Sequence, residues 1–266
     1  MPTSTAQAGT GLAGAVLLVA GGLLWAGGAA GPTGPAAALA LAAQPAPAAP
    51  AAGPGRHRCP TSLAGRLSWT GQARQLVTVE SAGATSTVAT VEIWQRGGGC
   101  WQSAGGPWTA FIGRHGFSDH HREGDGTTPT GLYGIGPEMY GISPNPGTKY
   151  PYHRLVCGDW WDEDPTSPQY NTFQHVPCGR APPFAGASEA LWTGTAAYPS
   201  FAVIEYNTKP VVAYAGSAIF VHAQYGAPTS GCVALPRAPL DTVLRWLTPG
   251  LQPAVVMGPA PEITRF

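Results

Sequence analysis

Residues 216–236 constrain the fold of this chain most, because they predict a buried strand and a tight loop around two reactive side chains. Residues 217–221 form a short β-branched and aromatic run, which is typical of a buried strand, and His222 follows it. Glycine and proline at the next positions predict a turn that returns the chain to Cys232. We therefore expect the imidazole of His222 and the thiol of Cys232 to lie within hydrogen-bond reach.

This pair has a chemical interpretation and a structural one. A free thiol has a pKa of about 8.5, and a neighbouring imidazolium or backbone N–H groups lower that pKa and stabilise the thiolate. Gly231 has no Cβ, so a substrate carbonyl can approach the backbone, where the amides of Ser230 to Cys232 could stabilise an oxyanion. The alternative is a buried structural cysteine beside a core histidine, and spacing alone does not choose between them.

Two motifs resemble one known family. His222, followed by Thr229-Ser230-Gly231-Cys232-Val233, resembles the active-site signature of the YkuD-type L,D-transpeptidases. Residues 122–135 contain a TPTG motif followed by an aromatic residue, which is similar to a turn and strand of that family. The resemblance covers residues 88–258 and has three departures. Ser230 replaces a usual histidine, Ala234 replaces a frequent asparagine or arginine, and the loop after His222 is shorter.

The resemblance implies a fold, a reaction and a partner. It implies a mainly β chain, an L,D-transpeptidase-like β-sandwich of mixed sheets with long disulfide-tied loops. Cys232 would attack a peptidoglycan stem peptide and form a thioester, and an amine on a second stem would resolve it. His222 would carry the proton, oriented by the carbonyl of Ala223. No metal or organic cofactor is needed, and the family's thiolate also opens the carbapenem ring.

Two other functions remain open at this point. The same residues with water as the acceptor would make an L,D-carboxypeptidase or an amidase. The other possibility is a non-catalytic wall-binding module. In that case Cys232 is unreactive and aromatic loop residues alone bind the cell wall. The expected substrate-binding residues are Tyr214, Tyr225, Thr229, Arg237, Trp160 and Trp161.

The amino-terminal region differs in composition from the rest. Only 11% of the 266 residues are charged, against a usual share of about 25%. Residues 1–55 contain no Lys, Arg, Asp or Glu. We interpret residues 1–30 as a signal peptide or membrane anchor, 31–56 as an Ala/Pro/Gly-rich linker and 57–266 as the catalytic domain. The chain is therefore expected to be exported, to the cell wall or beyond.

The net charge and the cysteine content indicate which partners and which cellular compartment to expect. The formal net charge is zero, so no basic face indicates nucleic acid, and we expect a monomer. If Cys232 is free, four of the five cysteines remain to pair. We favour Cys59 with Cys100 and Cys157 with Cys178, because each pair brackets one segment. Such bonds fit an oxidising compartment, and no Cys-x-x-Cys motif indicates zinc.

Periodicity predicts several strands and one principal helix. The predicted strands cover residues 75–80, 88–94, 108–113, 201–206 and 254–257. A helix is expected over residues 236–247, with four apolar residues on one face, Leu240, Val243, Leu244 and Leu247.

Two polar segments are predicted as loops. Residues 114–130 carry His115, His120 and His121, each either solvated or in contact with substrate. Residues 140–186 carry four clustered acids, Asp159, Asp162, Glu163 and Asp164. These acids are interpreted as a solvated, disulfide-tied loop, with a cleft wall or a carboxylate catalytic site as alternatives.

Overall fold

The computed structural model describes residues 58–185 and 188–266. The predicted leader, 1–30, and the predicted linker, 31–56, lie outside the described residues. Within the described residues, no helix is long and apolar enough to cross a membrane.

The described chain is built mainly from β-strands. The helices are α1 Leu63–Arg66 and α2 Arg237–Trp246, with short 3-10 turns at Leu191–Thr193, Pro249–Leu251 and Ile263–Arg265. The strands are β1 Gln75–Ser81, β2 Val88–Gly97, β3 Cys100–Phe111, β4 Phe117–Ser118, β5 Thr128–Pro129, β6 Gly131–Gly141, β7 Tyr152–Arg154, β8 Asp159–Asp162, β9 Thr172–His175, β10 Glu189–Ala190, β11 Phe201–Ile204, β12 Phe220–Ala223, β13 Val233–Leu235 and β14 Ala254–Pro259.

Nine of these strands form one mixed sheet that closes on itself. Their order is β11-β12-β13-β3-β2-β1-β14-β6-β7, and β11 also pairs with β6. Most neighbours are antiparallel, whereas β1 with β14, β12 with β13, and β6 with β7 run parallel. Because β11 pairs with β6 as well as with β12, the sheet closes. It encloses a hydrophobic core between its two halves.

Alternating apolar residues explain the first hairpin and its place in the core. In β2 the residues alternate between exposed and buried, and Val91 and Ile93 are opposite Val79 and Val77 of β1. All four side chains lie in the main hydrophobic core. Burying such side chains stabilises the fold by about 1.5–3 kcal/mol each.

Helix α2 packs its apolar face against the same core. Leu240, Val243 and Leu244 are buried, as the i, i+3, i+4 spacing predicts. The helix begins directly after Pro236, so it follows β13 almost without a connection. This packing holds the chain that follows Cys232.

A second, three-stranded sheet has the order β10-β8-β9 and lies in the segment that the sequence predicted as loop. One of the two disulfides, Cys157–Cys178, ties its flanking ends, and the other joins Cys59 to Cys100. Both pairings confirm the prediction, and Cys232 is free. The predicted fold class, mainly β with mixed sheets and one principal helix, is confirmed as well.

The strand before Cys232 begins later than predicted. The sequence indicated residues 217–221, whereas β12 covers Phe220–Ala223. The physical reason lies at Ala218, whose positive φ of 52° turns the backbone out of the extended conformation. His222 is therefore inside the strand, and it does not end it.

Candidate active site

Strands β12 and β13 place the two predicted reactive side chains on one face. The strands are parallel, and His222 is opposite Ala234. Cys232 precedes Ala234 by two residues, so its side chain points to the same face as that of His222. Both side chains line a cleft of about 380 Å³. The cleft wall is completed by residues of the segment before β11, including Glu189, Gly194, Ala197 and Tyr198.

The imidazole of His222 is buried and held in one tautomer. Its Nδ1 lies 2.8 Å from the carbonyl oxygen of Ala223. Because a carbonyl only accepts hydrogen bonds, Nδ1 carries the proton and Nε2 has the free lone pair. This contact is the one that the family resemblance implied. Burial lowers the pKa of His222 to about 4, although the bond to Ala223 acts in the opposite direction.

Two tyrosines enclose the imidazole. The ring of Tyr198 meets that of His222 edge-on at 5.6 Å, and the ring of Tyr225 is nearly parallel to it at 6.3 Å. Tyr198 is buried, whereas 52% of Tyr225 is exposed. The imidazole is therefore fixed from the inside and covered by a tyrosine from the solvent side.

The thiol of Cys232 is half-buried and hydrogen-bonded to the backbone. Its S–H donates to the carbonyl of Ala218 at 3.1 Å, and the N–H of Phe220 donates to its sulfur at 3.4 Å. The resting thiol therefore donates to the backbone of Ala218 and not to the imidazole of His222. A hydrogen bond between a catalytic nucleophile and its base is often formed only when substrate binds.

The environment raises the pKa of the thiol, which corrects the lowered pKa expected from the sequence. Burial is the main cause, and the carboxylate of Glu189 adds to it, while the N–H of Phe220 acts in the opposite direction. The carboxylate of Glu163 raises the pKa further. Since the pKa of His222 is lowered at the same time, the resting pair is a neutral thiol and a neutral imidazole.

The turn before Cys232 is held by two threonine hydroxyls. Thr229 Oγ1 donates to the carbonyl of Cys232 at 2.7 Å and accepts from the N–H of Gly231 at 3.1 Å. Thr128, in the TPTG motif, donates from Oγ1 to the carbonyl of Gly231 at 2.8 Å and accepts from Gly113 at 2.8 Å. The N–H of Gly231 is thus already used, which leaves those of Ser230 and Cys232 as the candidate oxyanion donors in this turn.

Gly231 is required by the close approach of its neighbours. A Cβ at this position would lie 2.9 Å from Ile219 Cδ1 and 2.9 Å from the carbonyl oxygen of Thr127. Both distances are shorter than van der Waals contact, so a larger residue would displace the turn that carries Cys232.

Comparison with protein families agrees with this geometry. The family model described as the L,D-transpeptidase catalytic domain, YkuD, matches residues 85–256. The chain belongs to the YkuD L,D-transpeptidase family. The match includes both motifs on which the resemblance rested, and it covers every strand of the closed sheet except β1 and part of β14. Comparisons with curated proteins and with solved structures gave no match.

Three further predicted residues line the cleft, Thr229, Ser230 and Tyr225. Ser230, which replaces the usual histidine, accepts a hydrogen bond of 2.9 Å from the guanidinium of Arg114. Tyr225 lines the cleft and covers His222.

Four other predicted binding residues lie away from the cleft in this structure. Arg237 pairs with Asp241 on the surface of α2, and Tyr214 is exposed on its loop. Trp161 is buried and packs edge-on against Phe220. Trp160 packs against Phe184 and Trp192 and lines a separate cavity near the Cys157–Cys178 disulfide.

Three residues of the site were not singled out from the sequence: Glu163 and His121 were assigned to it only as an alternative, and Glu189 was not named. Glu163 and Glu189 line one cavity with Cys232. The pairing of β8 with β10, which places Trp161 opposite Glu189, brings the two glutamates together. His121 was one of three loop histidines, and it is buried and lines the same cavity as Gly231 and Cys232. Long-range strand pairing and loop packing bring these groups together, and no local spacing signals either.

Proposed function

We infer that this chain is a cysteine L,D-transpeptidase acting on peptidoglycan stem peptides in cell-wall cross-linking and the maintenance of cell shape. The observation that carries the proposal is the pair of side chains in one cleft, a free thiol at Cys232 and an imidazole at His222 whose Nε2 is unprotonated. Membership of the family supports the same reaction.

In the first half-reaction, Cys232 is acylated. His222 Nε2 takes the thiol proton once the S–H leaves the carbonyl of Ala218, and sulfur attacks the carbonyl of the diaminopimelate L-centre. The S–C bond forms, the C–N bond to the terminal D-alanine breaks, and the imidazolium gives its proton to the leaving amine. The N–H of Cys232 would stabilise the oxyanion.

In the second half-reaction, an amine of another stem attacks the thioester. A new C–N bond forms, the C–S bond breaks, and sulfur leaves with the electron pair. His222 takes a proton from the attacking nitrogen and passes it to the thiolate, which restores the resting thiol. With water as the acceptor, the same steps would make the chain an L,D-carboxypeptidase.

The cleft residues have separate roles in this proposal. Tyr225, Thr229 and Ser230 line the cleft and would contact the stem peptide, and Arg114 would hold the hydroxyl of Ser230. Arg237, Tyr214 and Trp160 would contact only the parts of a long substrate that extend beyond the cleft, whereas the buried Trp161 would contact none of it.

The place of action is proposed from the disulfides and the family together. Two disulfides persist in an oxidising compartment, which favours an exported protein. We propose that residues 1–30 direct this export, either as a cleaved signal peptide or as an anchor, and that the domain acts in the cell envelope as a monomer.

The test is to incubate the full chain with a disaccharide tetrapeptide and measure the intact mass of the protein and the masses of the products. A protein adduct of the tetrapeptide minus D-alanine, together with cross-linked dimers, is expected. Tripeptide product without dimers would identify the hydrolase instead. Tight binding with no adduct at all would support the non-catalytic wall-binding module and contradict both enzymes.

A further inference from the structure

A cavity of about 450 Å³ lies apart from the catalytic cleft and shares no residue with it. The side chains that line it include those of Trp69, Gln72, Tyr133, Tyr150, Glu205 and Gln252. Its volume is within the range of about 300–1,000 Å³ that is usual for small-molecule sites. The proposed reaction uses none of these side chains.

Trp69 is held in place beside this cavity and yet is open to solvent. With 69% of its surface exposed, it is the most exposed of the large apolar side chains in the described part of the chain. Its backbone N–H donates to the carbonyl of Phe266 at 3.1 Å. A Cβ at Gly71 would lie 3.3 Å from its six-membered ring, so the indole rests on Gly71. An exposed ring that the backbone positions in this way is suited to contact with a ligand.

The same indole also borders a smaller cavity, of about 360 Å³. Trp69, Thr70 and Gly71 line both cavities, and the smaller one continues to the Cys59–Cys100 disulfide. We call the two cavities together the Trp69 groove. An elongated ligand could contact both parts of this groove, whereas a short one would occupy a single cavity.

Two polar groups of the larger cavity have hydrogen-bonding capacity to spare. Tyr150 is only 6% exposed, and its hydroxyl has no hydrogen-bond partner within residues 58–185 and 188–266. Glu205 Oε1 accepts from Lys209 Nζ at 3.0 Å, whereas Oε2 has no donor in that part of the chain. Burial raises the pKa of Tyr150 to about 12, and the carboxylate of Glu205 adds to the rise. A buried hydroxyl without a partner destabilises a site, and a ligand in the cavity can supply the missing bond.

The larger cavity has little net charge. Among the described residues that line it, Glu205 is the one charged side chain, and Lys209 pairs with its carboxylate. Gln72 and Gln252 are exposed and offer uncharged donors and acceptors. An anionic ligand would meet no cation on this wall, and a cationic one would compete with Lys209. The wall therefore favours an uncharged ligand with several hydroxyl or amide groups.

The strands around the cavity argue against an extended peptide as this ligand. Strands β1, β14 and β6 contribute to its wall or adjoin it, and each of them is paired on both sides. A peptide that binds by adding a strand needs an unpaired sheet edge. A pyranose ring needs none. Its C–H groups pack on the negatively polarised face of an indole, and its hydroxyl and acetamido groups both donate and accept.

We propose that the Trp69 groove binds the glycan strand of peptidoglycan, with one sugar ring stacked on Trp69 and the neighbouring sugars in the two cavities. The inference rests on the proposed function for the source of the glycan, and it assigns a separate, non-covalent site. Because the groove shares no residue with the cleft, a bound strand leaves Cys232 and His222 free. It would keep the domain on the wall and raise the local concentration of stem peptides.

The test measures binding of glycan without stem peptides to the full chain by isothermal titration calorimetry. The ligands are the dimer and tetramer of β-1,4-linked N-acetylglucosamine, and glycan strands that an amidase has freed of peptide. We expect the tetramer to bind at least about tenfold more tightly than the dimer, because only the tetramer reaches both cavities. The peptide-free strands should bind as well.

Three variants separate the groove from the catalytic cleft. Trp69→Ala should weaken tetramer binding at least about tenfold, and Tyr150→Phe, which removes one hydroxyl, about threefold. Val156→Ala is the matched control, because this apolar side chain is 53% exposed and lies outside both cavities. It should leave the affinity unchanged. All three variants should be acylated by a carbapenem within about twofold of the native rate.

The outcomes distinguish the groove from the proposed reaction. Unchanged affinity in both Trp69→Ala and Tyr150→Phe, or a tetramer that binds no more tightly than the dimer, would overturn the groove and leave the proposed function intact. Binding of the oligomers without binding of the strands would overturn the assignment to peptidoglycan. A dimer of the chain that Trp69→Ala abolishes, with no glycan binding, would identify a second copy as the occupant and overturn the proposal. Glycan binding by a native chain that a carbapenem does not acylate would support the groove and contradict the reaction.

Discussion

Thr128 Oγ1 donates a hydrogen bond of 2.8 Å to the carbonyl of Gly231, a residue 103 positions later in the chain. The same oxygen accepts a bond of 2.8 Å from the N–H of Gly113. One hydroxyl thus joins the TPTG motif, the end of β3 and the turn before Cys232. The two motifs that identified the family in the sequence are in direct contact in the structure.

We predict that Thr128→Val reduces both stability and acylation. The substitution keeps the shape of the side chain but leaves two buried backbone groups without a partner, at a cost of about 1–3 kcal/mol in the free energy of unfolding. The loosened turn should lower the rate of carbapenem acylation by at least about tenfold, about 1.4 kcal/mol of barrier. Thr109→Val, at an exposed position on β3, is the control. If both variants retain the native rate and stability, the hydroxyl of Thr128 does not hold the turn.

Gly231→Val should remove activity, whereas Ser230→Ala should not. A valine at 231 would place its Cβ 2.9 Å from two neighbouring atoms and shift the turn. We expect at least about a hundredfold loss of carbapenem acylation, about 2.7 kcal/mol. Ser230 contributes only an exposed hydroxyl bonded to Arg114, so its truncation should cost less than about tenfold. Rapid acylation of Gly231→Val beside an inactive Ser230→Ala would indicate a side-chain oxyanion donor.

The raised pKa of the Cys232 thiol predicts the pH dependence of the His222→Ala variant. Without the imidazole the thiol must ionise unaided, so alkylation by iodoacetamide should be slow at pH 7 and should increase only at a higher pH than for a free thiol, whose pKa is about 8.5. In the native chain the imidazole becomes protonated only as the pH falls through its pKa of about 4, so acylation should persist at pH 6. A midpoint at or below pH 8.5 in His222→Ala would contradict a raised thiol pKa.

Asp159 is predicted to stabilise the three-stranded sheet. This buried carboxylate accepts hydrogen bonds from His153 Nε2 at 2.8 Å, His175 Nδ1 at 2.7 Å and the N–H of Val156 at 2.8 Å. Burial alone would raise the pKa of Asp159, but these bonds outweigh it and lower the pKa. Asp159→Asn should therefore reduce the free energy of unfolding by about 1–3 kcal/mol at pH 5.5.

The pH dependence gives this prediction its sign. A carboxyl whose pKa is lower in the folded state contributes stability above its unfolded pKa of about 3.9 and loses it as the pH falls through the folded value. The difference between native and Asp159→Asn should therefore shrink below about pH 4 in thermal or denaturant unfolding. Asp241→Asn, which breaks an exposed i, i+4 pair with Arg237, should cost less than about 1 kcal/mol at every pH. A constant difference down to pH 2 would contradict the assigned cause.

Local sequence patterns predicted the elements that depend on local chemistry. Alternation marked β1 and β2, apolar spacing marked α2, and the flanking motif marked His222 and Cys232. Strand β6 was expected only from the resemblance, and only as far as Ile135, because its sequence, GLYGIGPEMYG, is rich in glycine and has low β-propensity. Pairing with both β14 and β11 keeps it extended, and such pairing is a property of the whole fold.

The carboxylates beside Cys232 were not singled out from the sequence for a related reason. Glu163 and Glu189 come together only through the pairing of β8 with β10, in a segment whose aromatic and acidic residues had no strand periodicity. The thiol pKa was expected to fall because the sequence showed a nearby histidine. It rises because the fold buries the sulfur and places two carboxylates beside it, neither of which a motif can indicate.

The most direct test of the central claim is the intact mass of the chain after exposure to a carbapenem or a disaccharide tetrapeptide, compared with that of Cys232→Ala. We predict one covalent adduct on the native chain and none on the variant, with the free energy of unfolding of the variant within about 1–2 kcal/mol of native, because the half-buried thiol contributes little packing. An adduct or full turnover in a folded Cys232→Ala protein would contradict the assignment of Cys232 as the nucleophile.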